Sequence, residues 1–211
     1  MKKILLVLFV FISIVFKAQT LYFKCTTIST PSVYPWGVAT NWYQDPLCTT
    51  TSTSGIPTSA NDVVINSNAF TANGQKIDFD QASMACKGFT VSYAGTYTNV
   101  AMQSVPAKVL NVFGHFDLTA FNNSKLSISN WKGDIVFNPA NISTLNVLTG
   151  GKTLVLNSIT VPGNTSTYTV NFNDSLFLDR TTTNAAIINL GYGYTTTNDV
   201  IVNFNEILKM G

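Results

Sequence analysis

Side chains that commonly act as catalytic acids or bases are scarce in this sequence of 211 residues, which has one histidine (His115), one glutamate (Glu206) and one arginine (Arg180). A Ser-His-Asp arrangement would have to use His115, which lies in Gly114-His115-Phe116 between two apolar runs, and no G-x-S-x-G motif is present. We therefore interpret His115 as a strand or turn histidine that faces solvent. The sequence predicts a protein without a catalytic centre and without a cofactor.

Carboxylates are also few, because the chain has 10 Asp and Glu in total. Asp78 and Asp80 would share one face if their segment is a strand, and they could then bind Ca²⁺ or lie near a sugar. The simpler interpretation is a solvated strand face or loop. Asp179-Arg180 is an acid–base pair of the kind that β-helix polysaccharide lyases use, but consecutive strand residues point in opposite directions. Neither pattern predicts an enzyme.

The first residues indicate export. Lys2 and Lys3 precede the apolar run from Ile4 to Phe16, and Lys17-Ala18-Gln19 closes it. This is the layout of a secretory signal peptide (residues 1–18) cleaved between Ala18 and Gln19. The run is too short for a membrane-spanning helix, which needs about 20 apolar residues. We predict a secreted or cell-surface protein whose mature chain has no membrane span.

Positive charge is lacking in the predicted mature chain. Removing the three signal-peptide lysines from the 12 Lys and Arg leaves 9 basic residues against 10 acidic ones, a net charge of −1. Nucleic-acid binding requires clustered Lys and Arg to neutralise phosphates, and so does binding to an anionic membrane surface. We expect no nucleic-acid partner and no polybasic membrane contact.

Cysteine is limited to Cys25, Cys48 and Cys86. An oxidising compartment favours disulfides, and the odd count leaves one cysteine unpaired or linked to another chain. We predict a Cys48–Cys86 disulfide that ties the Thr/Ser-rich loop to the first strands, with Cys25–Cys48 as the competing pair. No metal site is expected, because the spacings contain no C-x-x-C and the chain has one histidine.

Short apolar-alternating runs, separated by Gly, Asn or Pro, recur from Asp62 to the end of the chain, and they predict an all-β domain at residues 62–211. No sustained 3.6-residue periodicity occurs outside the signal segment. Spacings of 20 to 24 residues predict the coils of a right-handed parallel β-helix, or β-solenoid, with a β-sandwich as the alternative. These spacings separate the run centres Val91, Val112, Ile135, Val155, Phe177 and Ile201.

Residues 19–61 contain four prolines, a low-complexity Thr/Ser run and an aromatic cluster, and they predict an irregular N-terminal cap segment. Trp36, Trp42 and Tyr43 belong to the cluster. They could form a glycan-stacking platform, or they could plug the open end of the β-core, which a solenoid needs for solubility. We favour the plug.

Several motifs between Trp36 and Phe116 are similar to motifs of a known group of proteins. They are Trp36-Gly37, Asn41-Trp42, Gly55-Ile56-Pro57-Thr58, Asn61-Asp62-Val63-Val64-Ile65, Ala85-Cys86-Lys87-Gly88-Phe89-Thr90-Val91 and Leu110-Asn111-Val112-Phe113-Gly114-His115-Phe116. This pattern resembles the opening of large secreted surface proteins of the Bacteroidota, including adhesin-like proteins exported by type IX secretion.

The resemblance implies a non-enzymatic structural or adhesive surface module that forms the N-terminal part of a longer protein. Its ligand would be a surface glycan or a protein. A carbohydrate-binding or polysaccharide-degrading β-helix protein is the alternative. An exposed row of aromatics or an acid–base cluster would favour that alternative, whereas Thr/Asn ladders alone favour the surface module.

Overall fold

The computed structural model describes residues 19–105, 107–138, 144–155, 158–162, 167–174, 176–179, 187–192, 200–205 and 208–210. The predicted signal peptide, residues 1–18, lies outside these ranges, as do Arg180 and Glu206. Within them the chain is all-β, as the sequence predicted, with one short 3-10 helix (Ala39–Asn41) and no α-helix. None of the described residues lies in a helix that could cross a membrane.

The described strands are, in chain order, β1 (Thr20–Phe23), β2 (Val33–Pro35), β3 (Trp42–Tyr43), β4 (Asp62–Ile65), β5 (Lys76–Asp78), β6 (Ser83–Cys86), β7 (Gly88–Val91), β8 (Val100–Ser104), β9 (Val109–Val112), β10 (His115–Asp117), β11 (Leu126–Trp131), β12 (Asp134–Phe137), β13 (Thr144–Leu148), β14 (Thr153–Val155), β15 (Ser158–Pro162), β16 (Tyr168–Phe172), β17 (Leu176–Asp179), β18 (Ile187–Tyr192), β19 (Val200–Phe204) and β20 (Leu208–Met210).

These strands form four sheets, with the orders β19-β16-β13-β10-β7-β4-β1-β3, β11-β8-β5-β2, β18-β15-β12-β9-β6 and β14-β17-β20. From β4 onward, a strand pairs with the third strand before or after it along the chain. Among the described strand pairs, β1–β3 alone is antiparallel and the others are parallel. This pairing does not fit the β-sandwich alternative, which is built from antiparallel strands.

Alternation of apolar and polar residues determines which side chains enter the core. In β4, Val63 and Ile65 are buried, whereas Asp62 and Val64 point to the other face and are half-buried. Strands β9 and β12 show the same pattern. Since successive strand residues face opposite sides of a sheet, each short run supplies about two core side chains.

Aromatic rings form a continuous column through the core, which we call the aromatic column. Neighbouring ring centroids lie 4.6 to 6.4 Å apart, within the range of favourable aromatic contacts. In order, its members are Trp42, Trp36, Phe89, Phe116, Phe137, Phe172 and Phe204. Phe79 and Trp131 stack beside it with their centroids 4.4 Å apart.

The predicted spacing of 20 to 24 residues between equivalent strands is too short for most partners. Ile135 and Ile159 lie 24 residues apart, but Phe89 and Phe116 lie 27 apart and Phe172 and Phe204 lie 32 apart. The error arises because the chosen run centres belong to different sheets: Val91 is in β7 and Val112 is in β9, which do not pair. Because the connections between strands differ in length, the number of residues between paired positions is not constant and forms no period in the sequence.

Residues 19–61 are more regular than the predicted cap segment, because they contain β1, β2 and β3. Strand β1 pairs in register with β4 and buries Leu21 and Phe23. Strand β2 lies at the edge of its sheet, where Pro35 is tolerated because its missing N–H removes no essential ladder bond. The segment therefore contributes strands to two of the sheets.

We expect Trp42→Ala to lower the free energy of unfolding by about 3–5 kcal/mol, the usual cost of emptying a large buried aromatic site. The Trp42 side chain is fully buried, its indole N–H donates to the Trp36 carbonyl at 2.8 Å, and its ring contacts Phe23. Denaturant unfolding measures the change. Leu47→Ala is the control, because Leu47 is 68% exposed and its loss should change stability by less than about 0.5 kcal/mol. Equal effects of the two substitutions would contradict the packing described for Trp42.

Candidate functional site

The three aromatic residues singled out from the sequence are buried. Trp36 and Trp42 are at most 1% exposed, and Tyr43 is 7% exposed. Trp42 and Tyr43 form β3, the edge strand at one end of the eight-stranded sheet. A sugar stacks on a free aromatic face, whereas the Trp36 and Trp42 rings pack against other core rings and the Lys24 ammonium lies over the Tyr43 ring. Their burial favours the plug over the glycan-stacking platform.

The three cysteines are free thiols in the structure, and neither the Cys48–Cys86 disulfide nor the Cys25–Cys48 pair is formed. The Cys86 side chain points into the core from β6, with its sulfur 3.9 Å from the Asn111 carbonyl oxygen. The Cys48 sulfur lies 4.0 Å from the Phe23 carbonyl oxygen. Burial raises the pKa of the Cys25 and Cys86 thiols, and it raises the pKa of Cys48 to about 11.

We expect no cysteine of the folded protein to react with a thiol reagent at neutral pH, because the reactive thiolate is disfavoured and the sulfurs are buried. In denaturant without a reductant, the three thiols should all react. Thiol titration before and after unfolding tests both statements. If only one thiol reacts in denaturant, the other two cysteines form a disulfide, as the sequence predicted. Rapid reaction of the folded protein would contradict the burial of the three sulfurs.

His115 lies on the outer face of the eight-stranded sheet, where it is exposed. Its Nε2 lies 3.0 Å from the Thr90 hydroxyl oxygen. The ring covers Gly88 so closely that a Cβ there would overlap both the ring and the Asp62 carboxylate. Lys87 approaches the other Asp62 oxygen at 4.0 Å.

A hydroxyl beside an imidazole is the geometry of a nucleophile and its base, and a triad also needs a carboxylate that orients the imidazole. Asp62 Oδ1 is buried and has no hydrogen-bond partner, so the contact between Asp62 and His115 that would complete a triad is not made. The structure thus places His115 on a solvent-facing strand surface, as the sequence predicted.

Asp78 and Asp80 bind neighbouring protein groups. One Asp80 oxygen accepts from the Gly37 backbone N–H at 2.8 Å, and the other accepts from the Gln81 side chain at 2.5 Å. Asp78 accepts from Gln103 at 3.5 Å, and burial raises the pKa of its carboxyl above the usual value. Among the described residues, no three His, Cys, Asp or Glu side chains gather closely enough to hold a metal ion. Because Asp80 accepts from the Gly37 backbone and from the Gln81 side chain, it links the turn after β2 to the loop after β5.

Asparagines on the outer face of β13, β16 and β19 form an amide network, which we call the asparagine ladder. Asn171 Nδ2 donates to Asn146 Oδ1 at 3.2 Å, and Asn203 Nδ2 donates to Asn171 Oδ1 at 2.8 Å. In a second row, Asn173 donates to Asn146 at 3.2 Å and Asn205 donates to Asn173 at 2.8 Å. In each bond the donor lies on the later strand or one residue beyond its end.

The ladder follows from the parallel register. His115, Asn146, Asn171 and Asn203 are successive partners across the sheet, and strands about 4.8 Å apart bring like side chains into hydrogen-bonding reach. Sequence reasoning missed this set of residues. A repeated motif in the sequence could have indicated the ladder, because Val170-Asn171-Phe172-Asn173 recurs as Val202-Asn203-Phe204-Asn205.

Comparisons with known proteins give no relative from which a role could be transferred: no family model matches the chain, and no curated protein or solved structure matches it.

Proposed function

We propose that this chain is a non-enzymatic, exported structural or adhesive module of the cell surface, built as a parallel β-helix. The order of the strands supports the β-helix, because pairing with the third strand along is what stacking of successive three-stranded coils requires. The aromatic column supports it too, since each coil then buries its rings against the next. Export rests on the signal-peptide pattern of residues 1–18.

The observation that carries the functional proposal is the contrast between the outer and inner faces of the eight-stranded sheet. The outer face of β13, β16 and β19 carries the asparagine ladder, whereas the rings are inside. None of the aromatic side chains whose burial is described is in the exposed class. An amide ladder without a stacking surface favours the structural or adhesive module over a carbohydrate-binding protein.

A flat polar face suits an extended contact with a surface glycan or a protein. The predicted mature chain has a net charge of −1, so long-range attraction to polyanions does not contribute. Amide groups supply both donors and acceptors at strand spacing, which permits repeated hydrogen bonds along one direction. Adhesion through many weak contacts of this kind needs no pocket.

We expect the exported protein to begin at or near Gln19, because the apolar run and Ala18 form the recognition and cleavage elements of a signal peptide. Intact mass of protein recovered from the envelope or the medium measures the cleavage. Replacing Leu6 and Val7 by aspartates should leave the chain uncleaved in the cytoplasm, since the apolar run is then interrupted. Uncleaved, unmodified chain in the cytoplasm of the producing cell would contradict export.

We expect the purified protein to release no reducing ends and no unsaturated sugars from a panel of plant and bacterial polysaccharides. The reason is that Asp62, Thr90 and His115 do not complete an acid–base centre. Reducing-end and absorbance assays give the readout. Product that disappears in Asp62→Asn and in His115→Ala, but persists in the surface control Asn123→Ala, would replace the proposal with the polysaccharide-degrading alternative.

A further inference from the structure

One side-chain oxygen in the described part of the chain is buried without a hydrogen-bond partner, and it is Oδ1 of Asp62. A buried carboxylate oxygen without a partner is costly, so it calls for a cation or a hydrogen-bond donor. Lys87 does not supply it, because its ammonium lies 4.0 Å from the other oxygen, Oδ2, and its side chain is 45% exposed. Asp62 Oδ1 therefore has the capacity to bind a further group.

The His115 imidazole lies directly beside this oxygen. Asp62 and Gly88 are partners in the parallel register of β4 and β7, and the pairing of Phe89 with Phe116 puts His115 next to Gly88 on the following strand. Because Gly88 has no side chain, the imidazole and the carboxylate both enter the space that a Cβ there would fill. His115 Nδ1 and Asp62 Oδ1 each lie within 2.6 Å of that Cβ position, so at most about 5 Å separates them.

A nitrogen of the imidazole faces Asp62 in either orientation of the ring. Turning the ring over would put Nε2 where Cε1 now lies, and Cε1 also lies at the Gly88 Cβ position. In the orientation described, Nε2 lies 3.0 Å from the Thr90 hydroxyl oxygen. A histidine that binds a metal through one nitrogen usually donates its other N–H to a neighbouring acceptor, which fixes the ring. Thr90 is in the position to be that acceptor.

A carboxylate oxygen beside an imidazole nitrogen is a donor set that suits zinc and related transition metals. Calcium and magnesium are bound through oxygen atoms, so the imidazole counts against them. Zinc bonds to oxygen and nitrogen are about 2.0–2.2 Å long, which requires the two donor atoms to lie at most about 4.4 Å apart. His115 is exposed, so a small rotation of its ring closes that distance. With two protein ligands, water fills the remaining coordination positions.

We propose that Asp62 and His115 bind one Zn²⁺ ion, or a related transition-metal ion, on the outer face of the eight-stranded sheet. The ion joins β4 to β10 across Gly88, with Asp62 Oδ1 and a ring nitrogen of His115 as its protein ligands and the Thr90 hydroxyl holding the ring. It stabilises the folded chain, because the two ligands come together only when the strands are paired. The site depends on these contacts, and it does not depend on export or adhesion.

Zinc titration of the folded protein, purified without a histidine tag, tests the site. We expect one equivalent of Zn²⁺ to bind, and Asp62→Asn and His115→Ala each to weaken binding at least about tenfold, because each removes one of the two ligands. The control Asn123→Ala changes an exposed turn residue and should bind as the unaltered protein does. Unchanged binding in Asp62→Asn would show that Zn²⁺ binds the imidazole alone. That result, or no binding to the unaltered protein, would overturn the proposal.

Nuclear magnetic resonance of the imidazole identifies the ligand directly, because His115 is the only histidine in the chain. We expect Zn²⁺ to shift the His115 ring signals and to raise the midpoint of thermal unfolding of the unaltered protein. Gly88→Ala should lose both effects, since its Cβ takes the space between the two ligands. Zinc binding that leaves the ring signals unchanged would place the ion elsewhere, such as on the thiols, and refute the proposal. If a variant fails to fold, the ring signals of the unaltered protein still decide.

Discussion

The stacking of a ring on the ring of the next parallel strand is the contact on which the rest of the structure depends. Phe89 pairs directly with Phe116, and Phe172 pairs directly with Phe204. A slip of one residue in either pair would turn a ring outward, because side chains alternate between the two faces of a strand. The rings therefore favour the observed register of these two pairs, and that register places Asn203 beside Asn171 and His115 beside Gly88.

The few charged side chains serve the connections between strands. Lys125 donates to the Gly95 carbonyl at 2.6 Å, and Lys152 lies 3.5 Å from the Thr119 carbonyl and over the Phe121 ring, where burial lowers its pKa. Asp45 closes its own loop, and the Thr50 N–H, with other donors there, lowers the pKa of its carboxyl. These three charged groups stabilise turns because they bind backbone groups, either in their own loop or in a neighbouring one.

The sequence predicted the class of fold because alternation in runs such as Asp62–Ile65 depends on local geometry alone. It did not predict which strands pair, since the offset between partners varies with loops that carry no period. Strand β1 has the same length and alternation as β4, and it was missed because the prolines and the Thr/Ser run of residues 19–61 indicated irregular structure. The burial of Trp36 and Trp42 was expected because a β-solenoid needs a plug at its open end, whereas the asparagine ladder emerges only when Asn146, Asn171 and Asn203 are brought into register. Whether the cysteines form a disulfide depends on how the chain packs, and the signal-peptide pattern contains no information about that packing.

The three free, buried thiols also bear on how the protein matures. A core closed by rings and parallel strands needs no covalent cross-link, so folding of the described chain does not wait for an oxidant or a disulfide isomerase. Its folding rate is then governed by the pairing of strands distant in sequence, a slow step set by topology.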